Sequence, residues 1–294
     1  MTENYITSED LAFRPRARLL QMLGDQLIGS SRLAIFELVK NAYDADADTV
    51  LITLDAVNTE SAKIIVEDNG EGMSADIIKN IWLVPAHDHK EQQKKEKKRT
   101  RAGRLPLGEK GLGRFAVHKL GNEIQLVTRA KDSDECVLHI NWQDLIDKPF
   151  LEDTRVEVVT RTPTVFTGEN TGTQITISNL REQNWSRGDV RKLLRQITSI
   201  STPFNENRSD KFETLLEVKG HPDWTEGVSD IDKLKERAPW HISFSIVNGL
   251  LNLNYNFIGV PGIKVEPRQE LLENEKLLLP SNLKKNKVVV ELED

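Results

Sequence analysis

The chain is poor in sulfur, in aromatic side chains and in long apolar runs. A single cysteine, Cys136, occurs among 294 residues. That excludes an intrachain disulfide and a cysteine-based zinc site. It suits a reducing compartment, so the cytoplasm is the expected location. No run approaches the roughly 18 apolar residues that a membrane span needs, so no membrane role is expected. The opening MTENYITSEDLAFRPR carries acidic residues and no apolar centre, so it does not read as a secretory signal. An excess of positive charge is also missing. Forty Lys and Arg stand against 46 Asp and Glu, a net charge of −6. This excludes a globally basic nucleic-acid binder and leaves room for a local basic patch.

Such a patch is present. Between Lys90 and Arg104 there are eight Lys or Arg and two Glu. Aromatics, 6% of the chain, are absent from this run, which argues against base stacking there. The run lies in a segment, 85–107, nearly devoid of large apolar residues. It reads either as a solvated loop or as a mobile element that touches a partner such as DNA. No internal repeat is found.

Apolar spacing predicts helices at 19–23, 32–45, 75–82, 114–120 and 190–199. Ser30 or Ser31 is the expected N-cap of the second. β-Branched runs predict strands at 50–54, 64–67, 123–129, 135–140, 155–160 and 174–178. Further strands are expected near 212–218, 241–247, 251–257 and 287–292. The polar stretch PFNENRS is the natural boundary, giving domains at 1–203 and 204–294. The final KVVVELED reads as a strand running to the last residue, which suggests a piece of a longer polypeptide.

Three motifs carry the chemistry. In helix 32–45, Ile35, Leu38, Val39 and Ala42 form a buried stripe. Glu37, Asn41 and Asp44 share a different face, aligning a carboxylate, a carboxamide and a second carboxylate. Strand 64–67 then runs into Asp68-Asn69-Gly70-Glu71-Gly72-Met73. An acidic residue followed by alternate glycines suits either a turn or a close approach of backbone to a ligand. Finally Gly108-Glu109-Lys110-Gly111-Leu112-Gly113-Arg114-Phe115 opens a helix with a glycine cluster, a setting that binds phosphates through free N–H groups. It is not a Walker A loop, because Glu109 follows the second glycine of Gly103-x4-Gly108. It is not a dinucleotide fingerprint, because no strand precedes it. No H-R-D or D-F-G accompanies it as in protein kinases.

In this order, Glu37-x-x-x-Asn41, Asp68-x-Gly70-x-Gly72 and Gly108-x-x-Gly111-x-Gly113 resemble the N, G1 and G2 boxes of the GHKL ATPase superfamily. That superfamily includes gyrase B subunits, ninety-kilodalton heat-shock chaperones, MutL and MORC proteins, and histidine kinases. Gly172-Thr173 resembles its late Gly-Thr pair. The resemblance covers about residues 15–200 and looks closest to bacterial MORC-like or chaperone-like proteins, some of them in anti-phage defence.

The resemblance implies an α+β two-layer sandwich: a mixed, mostly antiparallel sheet with helices on one face, the Bergerat fold. A smaller α+β, transducer-like region would follow. It implies ATP and Mg²⁺ as ligands and ATP hydrolysis as the activity. Glu37 would orient or deprotonate water, and Asn41 would bind Mg²⁺. Asp68 would accept from the adenine amino group, supported by Thr173, with Gly70 and Gly72 bringing backbone to the base. Asp44 would reach base or ribose through water. Met73 packs against the base or fills core. Gly108, Lys110, Gly111, Leu112, Gly113, Arg114 and Phe115 would surround the phosphates, with Lys110 and Arg114 either on phosphate or in solvent. Segment 85–107 would be the ATP lid. ATP-dependent homodimerisation, DNA contact through 90–104 and an effector partner follow as expectations. Two alternatives stay open. One is a sensor histidine kinase domain, although only about 30 residues precede Glu37. The other is a module that binds ATP for assembly without hydrolysis.

Overall fold

The computed structural model describes residues 10–84, 99–108, 116–200, 212–227, 238–248, 250–260, 262 and 265–276. The polypeptide divides into two compact units, residues 1–228 and 229–294.

Among the described residues the first unit has the α-helices α1 (Leu19–Leu27), α2 (Ser31–Asp44), α3 (Ala75–Ile77), α4 (Ala116–Leu120), α5 (Trp142–Ile146) and α6 (Arg187–Thr198). Its strands are β1 (Thr49–Asp55), β2 (Lys63–Asp68), β3 (Gly121–Arg129), β4 (Glu135–Asn141), β5 (Val158–Arg161), β6 (Gly172–Leu180) and β7 (Glu213–Val218). They form one sheet in the order β5-β4-β3-β6-β2-β1-β7. Only the β1–β7 pair among these is parallel. The architecture is the expected α+β two-layer arrangement.

Local chemistry explains the elements that frame the site. Ser30 caps α2, its hydroxyl accepting from the Leu33 N–H at 3.3 Å. Ala34, Ile35, Leu38, Val39 and Ala42 are the buried apolar residues of α2, including the whole predicted stripe. They pack on Val50, Ile52 and Leu54 of β1 and on Ile64 and Val66 of β2 in one continuous core. Alternation sends those side chains to the helix face and Thr53, Ile65 and Glu67 to the other. Ser186 and Asp189 cap α6 reciprocally.

Several boundaries differ from expectation. Helix α1 runs on to Leu27. The 75–82 helix is a single α turn followed by a π turn, Ile78–Trp82. Helix α5 was not anticipated; Asn141 caps it by accepting from the Gln143 N–H at 3.0 Å. The sequence draws a boundary at 203, yet β7 lies beyond it and pairs with β1 from Thr49↔Glu213 to Leu54↔Val218. Its alternate residues Leu216 and Val218 are buried in the first core.

The second unit contains β8 (Trp240–Val247), β9 (Leu250–Phe257) and β10 (Arg268–Lys276), an antiparallel sheet in the order β10-β9-β8. Trp240, Ile242, Phe244 and Ile246 share a face with Phe257, Tyr255, Leu253 and Leu251 opposite them. Strand β10 had no clean alternation to reveal it and carries a register shift between Leu272 and Glu275. The strand expected at 287–292 lies outside the described residues.

Candidate functional site

Sheet register explains where the site lies. Across β2, β6, β3 and β4 the helix-facing rows read Ile64, Ile177, Ile124, Ile140, then Val66, Ile175, Leu126, Leu138. The next row is Asp68, Thr173, Thr128 and Cys136. An apolar core thus stops at a row of polar side chains still facing the helices. Polar groups placed so need partners, from the protein or from a ligand.

Asp68 has two internal donors. The Gly70 N–H donates to its Oδ1 at 2.9 Å, and the backbone of Thr173 also hydrogen-bonds it. Burial nevertheless dominates and pushes its carboxyl up to about 6, with Glu67 nearby adding to the rise. Thr128 is fully buried. Its hydroxyl accepts from the Met73 N–H at 2.9 Å, donates to the Gly172 carbonyl at 2.9 Å and meets the Thr173 hydroxyl at 2.9 Å. Thr171 Oγ1 donates to the Gly70 carbonyl at 2.7 Å. The Asp68–Met73 turn and the start of β6 are therefore stitched together. The Met73 side chain packs on Ile78, Leu126 and Leu138.

Gly72 is required by space and by conformation. Its φ is 63°, and a Cβ there would lie 1.9 Å from the Arg129 carbonyl oxygen. Gly72→Ala should lose at least about 1–3 kcal/mol from backbone conformation alone. Thermal unfolding would show this as a drop of several degrees; an unchanged midpoint would contradict the close approach.

Helix α2 brings the other motifs to this place. The Glu71 N–H donates to the Ala45 carbonyl at 2.8 Å, docking the glycine turn on the end of α2. Asp44 accepts from the Leu107 and Gly108 N–H groups at 2.7 and 3.1 Å. Both of its oxygens hold the entrance to the glycine cluster, a structural task beside the water-mediated base or ribose contact that the resemblance implies. Glu37 and Asn41 lie earlier on α2, half-buried. Lys40 Nζ donates to Glu37 Oε1 at 2.7 Å. Lys110, Gly111, Leu112, Gly113, Arg114 and Phe115 lie outside the described residues, as does segment 85–98.

Arg104 departs from the expected solvated basic run. It is buried against the C-terminal end of α2, donating to the Ala47 carbonyl at 2.7 Å and the Tyr43 carbonyl at 3.3 Å. Its guanidinium covers the Tyr43 ring at 4.8 Å. A cation suits the carbonyl-rich end of a helix. Asp46 accepts from the Ala102 N–H at 2.9 Å, so residues 102–108 are fastened along this helix end.

The other border of the site rests on Glu135. Its buried carboxylate accepts from Arg161 at 2.8 Å and from the amides of Thr164, Val165 and Phe166. Burial opposes the charge, but these donors prevail and hold the carboxyl down at about 2. Phe166 in turn packs beside Gly172. Burial pushes the Cys136 thiol up, in keeping with a small core residue.

Sequence reasoning missed Thr128, Lys40 and the anchoring of Arg104. Lys40 was legible as the i+3 neighbour of Glu37. Thr128 becomes visible only through strand register. Among the described residues no three His, Cys, Asp or Glu side chains gather to hold a metal. Nor is any described helix long and apolar enough to cross a membrane.

Comparison with known proteins agrees with this geometry. Residues 29–173 match the family described as histidine kinase-, DNA gyrase B-, and HSP90-like ATPase. A GHKL-superfamily ATPase domain is therefore present over that span. The chain is also 30% identical over 207 residues to "Putative type II restriction enzyme HgiDII" of Herpetosiphon aurantiacus. The match covers 65% of this chain and 32% of that protein, so the chain spans about a third of its relative's length.

Proposed function

We propose that the chain binds Mg·ATP and hydrolyses it slowly, acting as a nucleotide-gated conformational or dimerisation switch. The observation that carries this reading is the convergence of three motifs. Glu71 docks on Ala45, and Leu107 and Gly108 dock on Asp44, so both glycine segments meet the helix that bears Glu37 and Asn41.

Each residue then has a task. The ionised Asp68 carboxylate accepts from the adenine amino group, and Gly72 admits backbone beside the base. Thr173 supports the amino-group contact. Asn41 offers one amide oxygen to Mg²⁺, which takes few protein ligands and is otherwise held by phosphates and water. Bound Mg²⁺ would neutralise phosphate charge. Glu37, held by Lys40, orients the attacking water and takes its proton. Asp44 fixes the start of the segment Gly108–Phe115, whose amides, with Lys110 and Arg114, wrap the phosphates.

The biological setting is a proposal of wider reach. The named activity of the HgiDII relative and the basic run at 90–104 support action on DNA, in defence against foreign DNA, beside an effector partner. Arg104 is withdrawn from that basic surface; Arg99 and Arg101 remain exposed. An ATP-dependent homodimer in the cytoplasm completes the reading. The test is calorimetric titration with Mg²⁺ and a non-hydrolysable ATP analogue. Saturable binding below about 1 mM is expected; heat of dilution alone at that concentration would overturn the proposal.

A further inference from the structure

Thr128 was not part of any motif, yet its hydroxyl has three protein partners and one proton. A threonine hydroxyl offers one donor and two acceptor lone pairs. The Gly172 carbonyl can only accept, so it takes the Thr128 proton. The Met73 N–H can only donate, so it takes one lone pair. The contact to Thr173 at 2.9 Å is left with a single polarity: Thr173 donates and Thr128 accepts. Thr173 has then spent its proton. Any other group that meets its oxygen finds lone pairs only.

The neighbour of Thr173 in the same cross-strand row is Asp68. When ionised, its carboxylate is likewise acceptor-only. The row therefore presents two acceptors side by side on the helix-facing surface of the sheet. We propose that Thr128 is a specificity-positioning residue: by fixing the Thr173 hydroxyl as an acceptor, it selects a purine with an amino group at C6 over one with a carbonyl there. This rests on the reading of the row as an adenine site and adds the group that sets its polarity. A carbonyl placed against two acceptors is rejected by unpaired lone pairs, a stronger discrimination than shape alone gives.

The experiment compares Mg·ADP with Mg·IDP, which differ at C6, by calorimetry on the full chain. Wild type should prefer ADP. In Thr128→Val, Thr173 regains a free proton and can donate to the C6 carbonyl. IDP affinity should rise while ADP affinity falls, narrowing the ratio about tenfold. Thr128→Ser keeps the hydroxyl and should keep the wild-type ratio. Thr173→Ala should narrow the ratio through weaker ADP binding alone, which decides the matter even where Thr128→Val does not fold. Equal loss of both ligands in Thr128→Val, meaning a merely structural role, would overturn the proposal. So would an unchanged ratio in Thr173→Ala or equal binding of the two ligands by wild type. No ADP binding by wild type would instead overturn the adenine reading beneath it.

Discussion

Glu37→Ala is expected to bind Mg·ATP within about threefold of wild type while releasing phosphate about 10²–10⁴-fold more slowly, the usual contribution of a positioned general base. The separation follows from where the side chain sits. Leu38 and Val39, beside it in sequence, point into the core, whereas Glu37 shares its half-buried face with Asn41. Its ion-pair partner is Lys40, the two side chains 27% and 19% exposed respectively, an i,i+3 pair on the helix surface. Such a pair contributes little to stability, so removing it should leave the fold and the proposed adenine contacts intact. It holds Oε1 in place, on the carboxylate proposed to meet the attacking water. Glu37→Gln keeps the shape and loses the basicity, so it should lose turnover nearly as fully as alanine. Phosphate release at the wild-type rate in either variant would remove Glu37 from the chemistry. Loss of nucleotide binding together with turnover would recast it as a binding residue.

The sequence and the structure divide the site between them in a way that has physical reasons. Helix α2 was legible because the spacing of Ile35, Leu38, Val39 and Ala42 must match a buried face, which leaves Glu37 and Asn41 on another. Asp68, Gly70 and Gly72 were legible only in combination, because an acid and alternate glycines at a strand end suit a turn as well as a close approach, and their order between the other two motifs pointed to a site. What eluded the sequence is set by pairing between distant segments. Thr128 in VTR and Thr173 in GTQ are ordinary strand residues until register puts them in one row with Asp68. Arg104 read as one of many basic residues in a polar run. Its burial depends on the Tyr43 and Ala47 carbonyls gathered at the end of α2, which no local pattern reports. Strand β7 was predicted as a strand but assigned to the wrong side of a boundary, because a polar linker looks the same whether the chain leaves the sheet or returns to it. The polarity of a hydroxyl network lies further still from sequence, since it follows from counting donors against acceptors at bonded distances.

The counterpart of Glu37 is Asp68, where binding rather than turnover should fail. Asp68→Asn replaces a charge-assisted acceptor with a neutral amide and should weaken ATP binding by about 10–150-fold, equivalent to about 1.5–3 kcal/mol. Its pH behaviour separates recognition from scaffolding. Burial holds the Asp68 carboxyl at about 6, above its ordinary value of 3.8. The ionised form is the one that accepts from an amino group. In wild type, affinity should therefore hold above pH 7 and fall about tenfold per unit once pH drops well below 6. In Asp68→Asn that dependence should vanish. Stability should move the other way. A carboxyl whose folded pKa is raised binds its proton more tightly folded than unfolded, so stability falls as pH rises from 3.8 through 6 and the cost is fully present above that. Removing the charge should raise the unfolding temperature of the nucleotide-free protein at pH 7.5 while it lowers affinity. Opposite signs of these two changes are what a residue kept for a ligand produces. Undiminished affinity in Asp68→Asn would overturn the adenine contact. A fall in both affinity and unfolding temperature would mean that Asp68 serves the turn through Gly70 and Thr173 rather than the base.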